Sequence, residues 1–104
     1  MIQSKVTDPE GHLFSTVIHG AILGELVMAE EKHPIFPDDV IHQVSIMAEE
    51  AGEALKAANS YVHEGAPIEK IRDELLHTGA MVYRCLFHLT SIKFPEEDQG
   101  DSPS

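Results

Sequence analysis

The sequence predicts an all-α domain: three long helices whose bundle is completed by dimerisation. Three observations lead there. Apolar residues recur at helical spacing through residues 13–28, 40–62 and 68–89. Two proline-containing segments, His33-Pro34-Ile35-Phe36-Pro37 and Ala66-Pro67, punctuate the pattern. The chain has no strand-like alternation, no glycine-rich phosphate loop and no internal repeat.

A chain of 104 residues fits one domain, which hides about two-thirds of its unfolded surface. That suffices for a core but barely for a deep pocket within one subunit. The net charge of −11 argues against a nucleic-acid partner, whose phosphates attract a basic surface. A phosphate-bearing substrate would need metal ions between itself and the protein. Cys85 is the only cysteine, so no internal disulfide can form, and a cytoplasmic protein is expected. No apolar run reaches the roughly 18 residues of a membrane span, the N-terminus lacks a signal-peptide pattern, and no membrane association is expected.

The elements follow in order. Residues 1–8 read as a frayed arm. Asp8-Pro9-Glu10 is a helix start, with Asp8 as cap, Pro9 in the first turn and Glu10 at the positive end of the dipole. The first helix is expected to run to about Lys32 and to bury Leu13, Val17, Ala21, Leu23 or Gly24, and Val27 or Met28. Gly20 and Gly24 each weaken it by about 1 kcal/mol relative to alanine, and their spacing points to a close helix crossing. Lys32 and His33 suit the negative end of its dipole, and are also candidates for touching a nucleotide.

The second helix is expected from Pro37 or Asp38 to about His63, with Gly65 as its C-terminal cap. Its main apolar stripe is Val40, Val44, Met47 or Ala48, Ala51, Leu55, Ala58 and Val62. A second row, Ile46, Glu50, Glu53 and Ala57, mixes acidic with apolar residues, so this face is expected to be partly covered. The third helix opens with Pro67 at its first position and runs to about Lys93. Its stripe is Ile68, Ile71, Leu75, Gly79, Val82, Leu86 and Leu89, flanked by a row of Glu74, His77 or Thr78, Met81, Cys85 and His88. In that row Cys85 reads as a buried small residue rather than a nucleophile. Asp73 and Arg84 read as surface charges. The ordered core spans about residues 9–93, and the acidic tail 94–104 is expected to be disordered. Rods of this length, about 38 Å at 1.5 Å per residue, leave apolar rows uncovered in a monomer, so a homodimer or higher homo-oligomer is expected.

Chemistry concentrates in Glu49-Glu50-Ala51-Gly52-Glu53 and in Asp73-Glu74. Glu50 and Glu53 stack over one helical turn and repel by up to about 0.5 kcal/mol. A cation among them would relieve that repulsion, and Mg²⁺ prefers a few carboxylates plus substrate phosphates. A solvated acidic face is the alternative reading, although such a face more often sets lysines opposite its glutamates.

Glu49-Glu50-Ala51-Gly52-Glu53 followed by Ile71-Arg72-Asp73-Glu74-Leu75-Leu76-His77 resembles the MazG-like branch of the all-alpha nucleoside triphosphate pyrophosphatases, in particular its short single-domain members from phages and mobile elements. The resemblance covers about residues 25–90. That family carries a Glu-x-x-Glu pair on one helix and a Glu-x-x-Asp pair on the next. Glu50 and Glu53 match the first pair and Glu74 opens the second, whereas His77 stands where aspartate is usual. The resemblance implies Mg²⁺-dependent hydrolysis of an NTP or dNTP to the monophosphate and pyrophosphate. It implies Glu50, Glu53, Glu74 and His77 around the metal, Glu49 or Glu50 activating water, and a base pocket between helices formed partly by the first helix and the dimer partner. Histidine is a poor Mg²⁺ ligand and better suits Mn²⁺, iron or zinc.

Two other readings stay open. Glu74-Leu75-Leu76-His77 is a Glu-x-x-His motif of the kind found in di-iron carboxylate bundles, and two copies in a homodimer, with Glu50 or Glu53 from each chain, would supply a full ligand set. A non-catalytic nucleotide-binding or interaction protein of the same fold is the third.

Overall fold

In the computed structural model the described part of the chain is Ile2 and residues 15–89, without the Ser15 side chain. Three helices make it up: α1 (Ser15–Lys32), α2 (Val40–Glu64) and α3 (Ile68–Phe87). Among the described residues there is no strand, and no helix is long and apolar enough to cross a membrane. The expected start of the first helix at Asp8-Pro9-Glu10 and its burial of Leu13 lie outside the described residues, as do the tail over 94–104 and, Ile2 apart, the arm over 1–8.

Local chemistry sets the ends. Asp39 is the N-cap of α2, its carboxylate accepting the His42 backbone N–H at 2.9 Å, which satisfies one of the free donors of the first turn. The helix therefore starts at Val40 and not at Pro37 or Asp38, because the Asp39 side chain makes the capping bond. Gly65 ends α2 in the left-handed region at φ 73°, a conformation that costs glycine nothing. Pro67 is the N-cap of α3 rather than its first helical residue, with an extended ψ of 143°, and Glu69 faces the positive end of the dipole. That helix stops at Phe87, short of Lys93, where the His88 N–H donates to the Cys85 carbonyl and the Leu89 N–H to the Leu86 carbonyl.

The central rod is α3. It packs against α2 and α1, which do not pack against each other. The apolar core is Leu26 of α1 with Ala80 and Met81 of α3, surrounded by Ile22, Ala29, Ile46, Met47 and Tyr83. Small residues, Ala54 and Ala57 on α2 and Ala80 on α3, let the helices approach closely. The faces expected to be buried are mostly the exposed ones. On α1, Val17 is 81% exposed and Val27 and Met28 also face outward, whereas Ile22, Leu26 and Ala29 turn inward. Apolar residues lie all round α1, so periodicity could not choose between its faces. On α2, Val40, Val44, Ala48, Ala51, Leu55 and Val62 are exposed, and only Met47 and Ala58 of that stripe are half-buried. The packed row contains Gln43, Ile46, Glu50, Ala54 and Ala57. On α3, Ile68, Leu75, Val82 and Leu86 are exposed, whereas Glu74, Met81 and Cys85 of the flanking row are buried. On α2 and α3 the more apolar stripe lies outside, and the packed row carries small residues and polar groups that find partners.

The close crossing is at Gly79, not at Gly20 and Gly24. A Cβ at either of the latter would meet nothing within 4 Å, whereas one on Gly79 would lie 2.9 Å from Ile22 Cδ1. Gly79→Val should lower stability by about 1–3 kcal/mol through overpacking. Pairing it with Ile22→Ala should recover part of that loss as a non-additive coupling in urea unfolding. Full stability of the single Gly79→Val variant would show that the contact is slack.

Candidate metal centre

The site assembles on the inner face of α3. Glu74, His77, Met81 and Arg84 follow one another at spacings of three and four, so they share that face. Glu74 is only 7% exposed. A carboxylate removed from water needs a partner, and Lys70 supplies it to Glu74. Its Oε1 meets Lys70 Nζ at 3.0 Å, and its Oε2 lies 3.8 Å from His77 Nδ1. The hydrogen bond to Glu74, ahead of the coulombic attraction of the same carboxylate, pushes the Lys70 ammonium above its usual range. The other ring nitrogen of His77, Nε2, lies 3.3 Å from Glu25 Oε2 on α1.

From α2, half-buried Glu50 reaches the same place. One ligand atom each from Glu50, Glu74 and His77 lies within 4.8 Å of the others. Ligands held at about 2.1 Å from a metal are at most about 4.2 Å apart, so side-chain shifts below about 1 Å would close this group round one ion. Two carboxylates and an imidazole form a donor set that Mn²⁺, Fe²⁺ or Zn²⁺ fits better than Mg²⁺. Glu50 and His77 open onto a cavity of about 490 Å³, the size of a small-molecule site.

The chain has no matching family model, similar curated protein or similar solved structure. The site therefore rests on its own geometry.

The other candidate residues fall into two groups. Lys32 and His33, at the C-terminal end of α1, line the cavity with Glu50 and His77. Glu49 and Glu53 are exposed and do not line it. Glu53 is near enough to Lys70 to reinforce its charge. The sequence reading did not place Glu25 or Arg84 here. Glu25 is a lone charge inside the apolar run from Ile22 to Ala29, and that interruption was the available signal. Arg84, expected at the surface, is 4% exposed. It lies seven residues after His77, a spacing that already placed both on one face.

Arg84 ties α3 to the α1–α2 linker. Its Nη2 donates to the His33 carbonyl and pairs with Glu30 Oε2 at 2.7 Å, and its guanidinium lies over the Phe36 ring at 4.5 Å. Gln43 holds the same linker, Nε2 donating to the Pro37 carbonyl at 2.7 Å. Arg84 Nε is buried without a hydrogen-bond partner among the described residues, and Arg84 lines the cavity. Cys85 is buried, its Sγ donating to the Gln43 carbonyl at 3.4 Å. Burial pushes its thiol up, away from nucleophilic character.

Arg84→Met should therefore cost about 1–3 kcal/mol in urea unfolding, because it strips partners from the His33 carbonyl and the Glu30 carboxylate. Glu30→Gln, which alters the half-exposed end of the pair, should cost less than about 1 kcal/mol. Equal effects would mean that Arg84 does not pin the linker.

Proposed function

We propose that this chain is a divalent-metal-dependent nucleoside triphosphate pyrophosphohydrolase of the MazG-like all-alpha type, cleaving an NTP or dNTP to the monophosphate and pyrophosphate. One observation carries the reading: ligand atoms of Glu50, Glu74 and His77 gather within 4.8 Å at a cavity edged by Lys32, His33 and Arg84. Carboxylates on one side and cationic or N–H groups on the other are what a metal-bound triphosphate requires. A divalent ion held by Glu50, Glu74 and His77 would supply positive charge against the phosphates and acidify the attacking water.

The rest falls to the chain's own residues. Lys32 and His33 offer positive charge and N–H donors to the polyphosphate, offsetting repulsion by a protein of net charge −11. Arg84 adds its guanidinium to the cavity wall. A water oxygen bonds to the α-phosphorus as the bond to the α–β bridging oxygen breaks. Pyrophosphate leaves with that electron pair, and a carboxylate oxygen of Glu50, beside the cavity, accepts the water proton. Glu49 and Glu53 do not reach this space in the single chain. His77 favours a softer metal, so Mn²⁺ would serve better than Mg²⁺, and an iron- or zinc-holding protein built on Glu74-x-x-His77 is the second reading. Iron retained through purification would favour that alternative.

The same reading makes the protein a homodimer. Val40, Val44, Leu55 and Val62 give α2 an exposed apolar row, with Val17 and Val27 exposed on α1. A second copy would cover such a surface.

The test follows pyrophosphate release from ordinary and modified NTPs and dNTPs with Mg²⁺ and Mn²⁺. Release from at least one nucleotide is expected, falling at least about 100-fold in Glu50→Gln and Glu74→Gln with helicity unchanged, and less in Glu53→Gln. His77→Asp should keep or raise the Mg²⁺-dependent rate. No release with any nucleotide, or full activity in both Glu50→Gln and Glu74→Gln, would refute the assignment. By light scattering the wild type should have the mass of two chains and Leu55→Arg that of one. A wild-type monomer would remove the dimer from the account.

A further inference from the structure

We infer that Glu25 is a positioning residue for the metal centre, acting through His77. This rests on the metal-site reading above and adds a residue from α1, which the motif on α2 and α3 does not include. A neutral imidazole carries one proton on either ring nitrogen, and only the bare nitrogen can bind a metal. The two nitrogens of His77 face different carboxylates. Glu25 Oε2 lies 3.3 Å from Nε2, whereas Glu74 Oε2 is farther, at 3.8 Å from Nδ1. Glu74 already has Lys70 Nζ at 3.0 Å on its other oxygen. Among the described residues no lysine or arginine lies within ion-pair distance of Glu25. Glu25 is thus the nearer and less neutralised carboxylate, and its attraction favours the proton on Nε2. Nδ1 is left with its lone pair toward Glu74.

This is the carboxylate–histidine–metal arrangement, in which an outer carboxylate orients the ring and raises its basicity as a ligand. The contact joins two helices. Ile22, Leu26 and Ala29 seat α1 on α3, and Glu25 lies one turn after Ile22 on the same side, at the cavity wall. Docking of α1 therefore sets the orientation of a ligand on α3.

The experiment uses the full chain, with Mn²⁺ and Zn²⁺ each titrated calorimetrically and no nucleotide present. The His77 tautomer is read separately by ¹⁵N NMR of the metal-free protein at a pH where imidazole is neutral. The wild type should show the proton on Nε2. Glu25→Ala should lose that preference and bind either metal about 10–100-fold more weakly, with helicity unchanged. Glu25→Gln, whose amide oxygen still accepts a hydrogen bond, should restore most of the affinity. A proton on Nδ1 in the wild type, or unchanged metal affinity in Glu25→Ala, overturns the inference. His77→Ala and Glu74→Ala separate this failure from that of the site itself. If they abolish binding while Glu25→Ala does not, only the role of Glu25 falls. If neither changes binding, the metal centre falls and the inference with it.

Discussion

The structure depends on how α3 buries charge. Its inner face carries Glu74 and Arg84, both below 9% exposed, alongside Ala80, Met81 and Cys85. Ionised groups taken from water without partners would cost several kcal/mol each. The fold partners both. Glu74 is met by Lys70 one turn earlier and faces His77; Arg84 is met by Glu30 and the His33 carbonyl from the far end of α1. These pairings fix where α1 ends, where the linker runs and which side of α3 faces inward. The cavity lies between them.

That arrangement links local chemistry to the site. The Asp39 cap and the Gln43–Pro37 bond hold the linker where α2 begins. Phe36 then rests against Arg84 on one side and His88 on the other. The cavity thus has a wall of linker residues and a floor of α3, with Glu50 brought in by α2. No residue of the candidate centre lies on a loop. Each is on a helix, which suits a site whose ligand atoms must stay within about 0.5 Å of their working positions.

Much of this was legible in the sequence, and the illegible part has a physical cause. Pro34, Pro37, Gly65 and Pro67 marked the breaks, because their backbone preferences are local. That Glu50, Glu74 and His77 converge was implied by the family resemblance, which drew in Glu53 as well. The row of Ile46, Glu50 and Ala57 was legible as partly covered, but which apolar stripe each helix turns inward was not. The strongest apolar stripes, such as Val44–Leu55–Val62, lie on the outside of the single chain. The packed rows are held by alanines and by charges whose partners are far away in sequence. Arg84 and Glu30 are such a pair, and helical periodicity carries no record of it. Glu25 was marked only as an interruption of an apolar run, since its partner His77 lies on another helix.

The central claim is that Glu50, Glu74 and His77 close round one divalent ion. Anomalous diffraction from a crystal soaked in Mn²⁺ tests it most directly. The account predicts one strong peak about 2.0–2.3 Å from an oxygen of Glu50, an oxygen of Glu74 and a nitrogen of His77. A peak elsewhere, or none with these three side chains turned to bulk water, would contradict it.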